Sequence, residues 1–236
     1  MKNDLTKGMV HGIPIALGYL SVSFGFGILA VRAGLSVFWS GLISLTNITS
    51  AGQAAGVDVI SADGTLLEMI LVQITINIRY SLMGISLSQR LDDSFTRGHR
   101  LLASYGITDE IFALCATYKG RLTPAYMYGI ISVAALGWTS GTVIGAAAGE
   151  ILPLSVTNAM GIMLYGMFLA IIIPPAKKQL SVLITIITAA VISIIFRYAL
   201  TFVSNGFAVI ISAVIAASAA AVLFPVKDDT SEGESK

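Results

Sequence analysis

One arginine lies in the middle of a segment that is otherwise apolar enough to cross a membrane. Arg79 falls in the stretch 65–89, where Glu68 is the other charged residue. Because a guanidinium in hydrocarbon is costly, it indicates either a functional site or a specific buried partner. Arg79 could bind a carboxylate through paired hydrogen bonds or neutralise a nearby acid. The alternative is a structural contact with backbone carbonyls or with a supporting carboxylate.

The same segment carries polar side chains on two sides of the predicted helix. At about 1.5 Å per residue, Arg79 lies about 21 Å from Thr65, near the middle of a span. One side carries Glu68, Thr75, Arg79 and Ser86, and another carries Gln73, Asn77, Tyr80 and Gly84. Two polar sides indicate a helix buried between protein neighbours rather than one facing lipid.

A second polar run follows a strongly apolar stretch, residues 35–45. Its polar and small residues are Thr46, Asn47, Thr49, Ser50, Gly52, Gln53 and Gly56. Such backbone is tolerated at membrane depth where it is buried in protein or lines a wet cavity, so we expect segment 35–57 to be broken or re-entrant. The alternative is an intact helix whose small polar residues pack against neighbours. Both runs together predict a substrate pathway formed by Asn47, Thr49, Ser50, Gln53, Gln73, Asn77, Arg79 and Tyr80.

A pair of acidic residues interrupts a weaker apolar stretch. Asp109 and Glu110 follow Thr108, a residue type that caps helix amino termini, and they would face the positive end of a helix dipole. We expect residues 101–120 to form an amphipathic helix at the membrane edge, with the two acids stabilising a helix start. Proton coupling through Asp109 and Glu110 is the alternative role.

Small residues recur at a fixed spacing in a later segment. Gly137, Gly141, Gly145 and Gly149 repeat every four residues, a pattern that lets a second helix approach closely. We expect this stripe to pack against another helix of the same chain, and a separate subunit is the alternative.

Several chemistries lack the residues that they need. The single Cys115 cannot close an internal disulfide, and His11 and His99 lie in different connecting regions, so we expect no metal site. The sequence has no Gly-rich phosphate loop, and its apolar segments hold no Ser/His pair, acid dyad or zinc signature, so we expect neither an enzyme nor a cofactor. With 14 basic and 13 acidic residues, the charge does not favour nucleic acid.

The elements that hold these residues are predicted from composition. Of 236 residues, 56% are hydrophobic and 11% are charged, which is typical of a protein whose solvent is lipid. A membrane helix needs about 20 apolar residues. Apolar runs occur at 12–31, 33–57, 65–89, 122–149, 151–176, 179–196 and 198–226. We therefore predict an all-α polytopic membrane bundle of about seven segments, with residues 1–226 as one membrane domain and 227–236 as a short disordered tail.

Basic residues in the loops predict the orientation, because cytoplasmic loops carry more Lys and Arg. If the second segment is re-entrant, six crossings leave Arg32 and Arg197 outside. If it crosses fully, seven crossings with an external amino terminus leave three basic residues outside. Both alternatives place the 90–121 loop, the 177–178 lysine pair and the carboxyl tail in the cytoplasm.

Several runs of the sequence resemble a known family. Residues 47–55 (NITSAGQAA), 76–87 (INIRYSLMGISL) and 108–114 (TDEIFAL) resemble the best marked stretches of the AzlC family, and residues 12–25 are similar to its opening. That family comprises the large subunits of branched-chain amino acid exporters, which work with a small AzlD-type membrane subunit. The resemblance implies ion-driven export of leucine, isoleucine, valine or related apolar amino acids across a bacterial inner membrane. Residues 47–50 depart from the Phe or Ala-rich sequence common in the family, which implies a more polar pocket.

Two other classes of protein stay open at this point. An accessory or assembly subunit would use its glycine stripe chiefly to bind a partner, and a gated pore would pass substrate downhill without a coupling ion. The transporter hypothesis agrees with the chemistry of a zwitterion, whose carboxylate needs a cationic or helix-terminus site and whose ammonium needs acceptors. Arg79, Asn77 and Gln53 could supply part of such a site.

Overall fold

The computed structural model describes residues 2–153 and 172–225, together with residues 155, 166 and 169, and these residues form helices and no strands. The all-α expectation is confirmed. In chain order the helices are α1 (Lys2–Arg32), α2 (Val37–Thr46), α3 (Ser50–Ser61), α4 (Leu66–Ser88), α5 (Arg97–Ser104), α6 (Asp109–Thr117), α7 (Pro124–Ile151), α8 (Leu180–Tyr198) and α9 (Asn205–Leu223). Residues 172–178 are helical as well.

Within the described ranges, 5 helices are long and apolar enough to cross a membrane, namely α1, α4, α7, α8 and α9. The expectation of about seven segments is therefore not confirmed. The expected segment 33–57 contains the short helices α2 and α3 instead of one long helix. Most of the expected segment 151–176 and the whole tail 227–236 lie outside the described residues.

The chain forms two compact units, Met1–Met167 and Phe168–Lys236. In the second unit, α8 and α9 pack against each other across the short connection 199–204. Ser204 begins α9 as its N-cap and accepts a hydrogen bond from the Phe207 backbone N–H. The Ser193 hydroxyl donates to Ser212 Oγ at 3.3 Å and links the two helices midway.

Helices α1 and α7 of the first unit lie side by side and run in the same direction. The expected glycine stripe of α7 lies against α1: a Cβ added to Gly137, Gly141 or Gly145 would stand 2.4, 2.4 and 2.0 Å from the carbonyl oxygens of Ala16, Leu20 and Phe24. These contacts advance by four residues on both helices together, so the helices are parallel. Only glycine permits backbones to approach this closely.

Helix α4 runs in the opposite direction to α1 and α7. Its carboxyl end leads to Leu91, which pairs with Leu122 just before α7 begins. At its other end, Gly64 stands close to Val59 of α3. We refer below to the basic end of the unit, where α1 and α7 begin, and to the opposite end, where α4 begins.

Helices α2 and α3 form a helical hairpin that we call the first hairpin. Residues 47–49 interrupt the helix, and the chain then folds back, because Gln53 Nε2 donates to Ser44 Oγ at 2.8 Å. Val57 of α3 packs with Phe26 and Ala30, near the carboxyl end of α1, so α3 returns toward the opposite end of the unit. The number of bilayer crossings made by this segment stays a prediction.

Helices α5 and α6 form a second hairpin, with residues 105–108 between them. The expectation of one amphipathic helix over residues 101–120 is therefore wrong. The helix breaks because Thr108 begins a new one: its Oγ1 accepts a hydrogen bond from the Ile111 backbone N–H. Gly106 sits so near α7 that an added Cβ would lie 2.5 Å from the Ile131 side chain. The base of this hairpin lies at the basic end, where Arg90 Nη2 donates to the Tyr118 carbonyl at 2.5 Å.

Candidate functional site

The arginine in the middle of α4 forms an ion pair with the second hairpin. Arg79 Nη2 lies 2.9 Å from Asp109 Oδ2, at the start of α6. The same nitrogen donates to the Tyr80 hydroxyl at 3.2 Å, and the guanidinium carbon lies 4.9 Å from the Tyr80 ring centroid. Arg79 Nε is buried and makes no hydrogen bond to any described residue. The guanidinium therefore keeps a free donor for a further acceptor.

Asp109 lies between charges of opposite sign. Its carboxyl pairs with the Arg79 guanidinium at 2.9 Å, and the acidic Glu110 follows it in the chain. The carboxyl side chain is 32% exposed in the described structure, so it stays within reach of a ligand or a proton. Such a carboxyl is suited to exchange its partner.

A chain of hydrogen bonds ties α1 to the second hairpin. The Tyr19 hydroxyl lies 2.5 Å from Thr108 Oγ1 and 2.6 Å from Glu110 Oε2. Since a phenol has one proton, the arrangement that satisfies all three groups has Tyr19 donating to the Glu110 carboxylate and accepting from Thr108. Tyr19 and Thr108 are both buried. This chain holds the amino end of α6 against α1.

A small cavity lies at the point where these groups meet. Its volume is about 10 Å³, and its walls are Tyr19, Ile48, Ser50, Tyr80, Thr108, Asp109, Glu110 and Trp138. That is about the space of one water molecule and far below the roughly 300 Å³ of a typical ligand pocket. The walls come from α1, α4, α7 and both hairpins, so the described conformation is closed at the centre.

Larger cavities lie on either side of this closed centre. One of about 170 Å³ lies between the first hairpin and α4, toward the opposite end, and is lined by Ile43, Asn47, Gly52, Gln53, Gly56, Val57, Ile60, Met69 and Gln73. Another of about 330 Å³ lies between α4 and α5 toward the basic end, with Ser81, Gly84, Ser88, Arg100, Ser104 and Ile107 among its walls. Both reach a hairpin tip, at Asn47 and at Ile107.

A buried polar network fixes the first hairpin to α7. Trp138 Nε1 donates to Gln53 Oε1 at 2.7 Å, Gln53 Nε2 donates to Ser44 Oγ at 2.8 Å, and Ser44 Oγ lies 2.7 Å from Thr142 Oγ1. All four side chains are buried. Because each polar atom has a partner, the network specifies one position for the hairpin.

The remaining residues of the expected pathway lie where α3 meets α4 or just before α3 begins. Gln73 Nε2 donates to the Gly52 carbonyl at 2.8 Å, and Asn77 Nδ2 donates to Gln73 Oε1 at 3.1 Å. Asn77 Oδ1 is buried and makes no hydrogen bond to the residues described. Thr49 Oγ1 donates to Asn47 Oδ1 at 2.8 Å and so does not cap α3.

The expected site residues are thus divided between the central cavity, the 170 Å³ cavity and the contact of α7 with α1. Ser50 and Tyr80 join Asp109 and Glu110 around the central cavity, which Arg79 adjoins through its contact with Asp109. Asn47, Gln53 and Gln73 line the 170 Å³ cavity instead. The glycine stripe lies away from both, against α1.

Sequence reasoning missed three residues of the centre: Tyr19, Thr108 as a tyrosine partner, and Trp138. A signal existed for Trp138, which lies in the middle of an apolar segment, whereas membrane Trp usually sits near the ends. A buried indole N–H needs an acceptor, so its position indicates a polar partner at that depth. No comparable signal marked Tyr19.

These features define a helical membrane protein with interrupted helices around a polar centre. The family model described as "AzlC protein" matches residues 14–152, which include α1 to α7 almost entirely. The chain belongs to the AzlC family.

Curated relatives agree with this membership. The chain is 30% identical over 175 residues to an "Uncharacterized membrane protein" of Archaeoglobus fulgidus, covering 73% of this chain and 76% of that protein. It is also 30% identical over 188 residues to the "Inner membrane protein YgaZ" of Escherichia coli (strain K12), covering 76% of each. An "Uncharacterized membrane protein" of Helicobacter pylori (strain 26695) is 27% identical over 143 residues, 59% of this chain and 62% of that protein. No solved structure matches the chain.

Proposed function

We propose that this chain is the transport subunit of a secondary exporter for branched-chain or related apolar amino acids in a bacterial inner membrane. The observation that carries the proposal is the ion pair between Arg79, in the middle of α4, and Asp109, at the tip of the second hairpin. Interrupted helices that meet near the middle of a bundle commonly form the binding sites of transporters. Membership of the AzlC family and the inner-membrane relative support the same conclusion.

The ion pair suits a site that binds a zwitterion. An unpaired charge at membrane depth is costly, so charged groups there need partners. Arg79 and Asp109 pair with each other at 2.9 Å, and their side chains, 40% and 32% exposed, stay within reach of a ligand. A bound amino acid would offer its carboxylate to Arg79 and its ammonium to Asp109 or Glu110, replacing both partners at once.

Closure at the centre favours a transporter over an open pore. The central cavity holds only about 10 Å³, too little for an amino acid to pass. A carrier needs such a closed centre, because a continuous passage would dissipate the gradient that drives export. Asp109 and Glu110 are the proposed proton-coupling groups: a proton on either carboxyl would weaken its hold on the ammonium, so protons and substrate would compete.

The exporter is proposed to include a small AzlD-type subunit. The expectation that α4 is buried between neighbours is not met within the described residues, because its outward face exposes Ile74, Ile78, Leu82 and Ile85. This exposed face supports a partner. The spacing of its residues by four, four and three positions places them on one face of the helix. Such a face needs either lipid or a partner helix. The proposed orientation keeps the 90–121 loop and the carboxyl tail in the cytoplasm.

Efflux from loaded cells tests the proposal. Cells fed with dipeptides accumulate free amino acids, and efflux of leucine, isoleucine, valine and methionine is compared with this chain alone, with its small subunit, and with neither. We expect faster efflux where the assembled pair is present. Unchanged efflux of all four amino acids would overturn the substrate class.

Two further measurements address the competing classes. Vesicles with and without a proton gradient distinguish coupled export from a pore, which would conduct equally in both. An accessory subunit predicts that Arg79→Ala lowers the yield of the complex. A transport role predicts instead a normal yield with little efflux. The control is Arg121→Ala, a surface variant whose guanidinium donates to the Leu91 carbonyl at 3.2 Å, and it should keep both yield and efflux.

A further inference from the structure

The first unit repeats one pattern twice. Each copy is a long helix followed by a helical hairpin: α1 with α2 and α3, then α4 with α5 and α6. Each long helix carries a tyrosine on the central cavity, Tyr19 in the first copy and Tyr80 in the second. Thr49 follows Tyr19 by 30 positions, and Thr108 follows Tyr80 by 28. The two copies therefore have almost the same spacing.

The hairpin tips also correspond residue by residue. Ile48-Thr49 precedes α3 and Ile107-Thr108 precedes α6, and each threonine is the N-cap residue of the helix that follows it. The threonines differ in their contacts: Thr108 Oγ1 caps its own helix and meets Tyr19, whereas Thr49 Oγ1 turns back to Asn47. The two copies thus share the same order of helices and the same N-cap positions, and they differ in the hydrogen bonds of their threonines.

The two copies have opposite directions. The first hairpin enters from the opposite end, where Val57 packs near the carboxyl end of α1. The second enters from the basic end, where Lys7 Nζ donates to the Tyr118 hydroxyl at 3.0 Å. Their tips meet between these ends, since the Tyr105 hydroxyl donates to the Leu45 carbonyl. Opposed hairpins of this kind are the mark of an inverted repeat.

We infer that α1–α3 and α4–α6 form an inverted repeat, and that the site for the amino acid lies between the two hairpin tips, each hairpin closing it from one side. This inference rests on the proposed export function for the identity of the ligand. The site is the central cavity, opened by withdrawal of one tip. Arg79, Asp109 and Glu110 supply charge there, and Tyr19, Tyr80, Ser50 and Thr108 supply hydroxyls.

The residues that line the central cavity indicate the chemical class of the ligand. Ile48 and the Trp138 ring form the apolar part of the cavity, and Trp138 stands edge to face with Tyr19 at 5.3 Å between centroids. Trp138 cannot withdraw freely, because its indole nitrogen is bonded to Gln53. A zwitterion with a compact apolar side chain fits these walls. Trp138 is thus the residue that limits side-chain size.

The two tyrosines then have exchanging roles. In the described conformation Tyr19 of the first copy holds the tip of the second hairpin through Thr108 and Glu110. By the symmetry of the repeat, Tyr80 of the second copy holds the tip of the first hairpin, at Thr49 and Ser50, when the site opens toward the other side. One tip is released as the other is held.

The repeat can be tested without any transport. In a Cys115→Ala background, single cysteines are placed at the bases of the hairpins as Ala33→Cys, Ala62→Cys, Asp93→Cys and Gly120→Cys, and vesicles of known orientation are labelled with a membrane-impermeant thiol reagent. We expect Ala33→Cys and Ala62→Cys to be labelled from one side and the other two from the opposite side. Labelling of Ala33→Cys and Ala62→Cys from different sides would overturn the repeat.

The site is tested in the assembled complex with leucine, isoleucine, valine and methionine as protecting ligands. Ser50→Cys and Thr108→Cys should each lose reactivity toward a small thiol reagent when a transported amino acid is present, while Ser140→Cys, an exposed serine of α7, should not change. Tyr80→Cys replaces Thr108→Cys if loss of the cap prevents folding. Active efflux without protection at either tip would overturn the site. Absent efflux would overturn the export function alone, since the labelling pattern still decides the repeat.

Discussion

Tyr19 of α1 and Glu110 of α6 stand 91 positions apart in the chain, and the Tyr19 hydroxyl donates to Glu110 Oε2 at 2.6 Å. This bond joins α1 to the tip of the second hairpin, and that hairpin enters the unit from the end where α1 begins. A hydrogen bond to a charged acceptor contributes about 1.5–3 kcal/mol in proteins. A bond of this strength can hold the second hairpin and still be broken once in each cycle of the proposed transport.

The first prediction concerns this bond. Tyr19→Phe removes the hydroxyl but keeps the ring that packs on Trp138. We expect a normal yield of folded protein and a fall in the efflux rate of about tenfold or more. The conformation in which the second hairpin is held loses about 1.5–3 kcal/mol, and about 1.4 kcal/mol corresponds to a factor of ten in its population. Initial efflux rates in loaded cells give the comparison. Tyr128→Phe, which removes a hydroxyl bonded to His99 away from the centre, is the matched control and should retain the rate.

The second prediction concerns the planar guanidinium. Arg79→Lys keeps the charge and the pairing with Asp109 but loses the fork that binds a carboxylate through two hydrogen bonds. We expect the complex to assemble, and the KM for efflux to rise about tenfold or more with a smaller change in the maximal rate. Arg121→Lys should leave both constants unchanged. Full transport by Arg79→Lys at unchanged KM would contradict bidentate recognition of a carboxylate.

The polar residues of the centre can be found from the sequence, but not all of their partners can. Arg79 is recognisable because a charge in an apolar segment needs a partner or a function. A break somewhere in segment 35–57 is predicted because polar and small residues crowd its later half. Membrane helices share one apolar composition, so no periodicity shows which helix lies beside which. For that reason the Asp109 partner of Arg79 and the Gln53 partner of Trp138 could not be predicted.

The second hairpin shows a different limit. Residues 101–120 contain enough charge to resemble an amphipathic surface helix, so the sequence predicts a single helix there. The residue type of Thr108 predicts a helix cap, and a cap in the middle of a segment also means that the preceding helix has ended. Together with Gly106, which must approach Ile131 closely, it divides the segment into α5 and α6.

The third prediction concerns the buried network. Trp138→Phe removes the indole N–H and leaves Gln53 Oε1 buried without that donor. An unsatisfied buried polar group costs about 1–3 kcal/mol, so the thermal unfolding midpoint in detergent should fall. Gln53→Leu should also lower it. In a double-mutant cycle the combined variant should lose less than the sum of the two, because both remove the same bond. Full additivity would contradict a direct coupling between Trp138 and Gln53.

The fourth prediction concerns the contact between α1 and α7. In Gly145→Ala the new Cβ would lie 2.0 Å from the Phe24 carbonyl oxygen, so the helices must separate. Overpacking of this kind costs about 1–3 kcal/mol, which exceeds the roughly 0.5–1 kcal/mol that alanine gains over glycine in a helix. The yield and thermal stability of the folded protein should therefore fall.

Gly149→Ala is the matched control for this prediction, since it is the same substitution one turn further along the same stripe. Its new Cβ would meet Ile28 at 3.4 Å, an ordinary van der Waals contact. We therefore expect Gly149→Ala to be neutral or slightly stabilising, through the higher helix propensity of alanine. Equal losses for both variants in size-exclusion yield and thermal midpoint would indicate that the stripe does not act through its distance to α1. A loss confined to Gly145→Ala would tie the stripe to the close approach of two parallel helices within one chain.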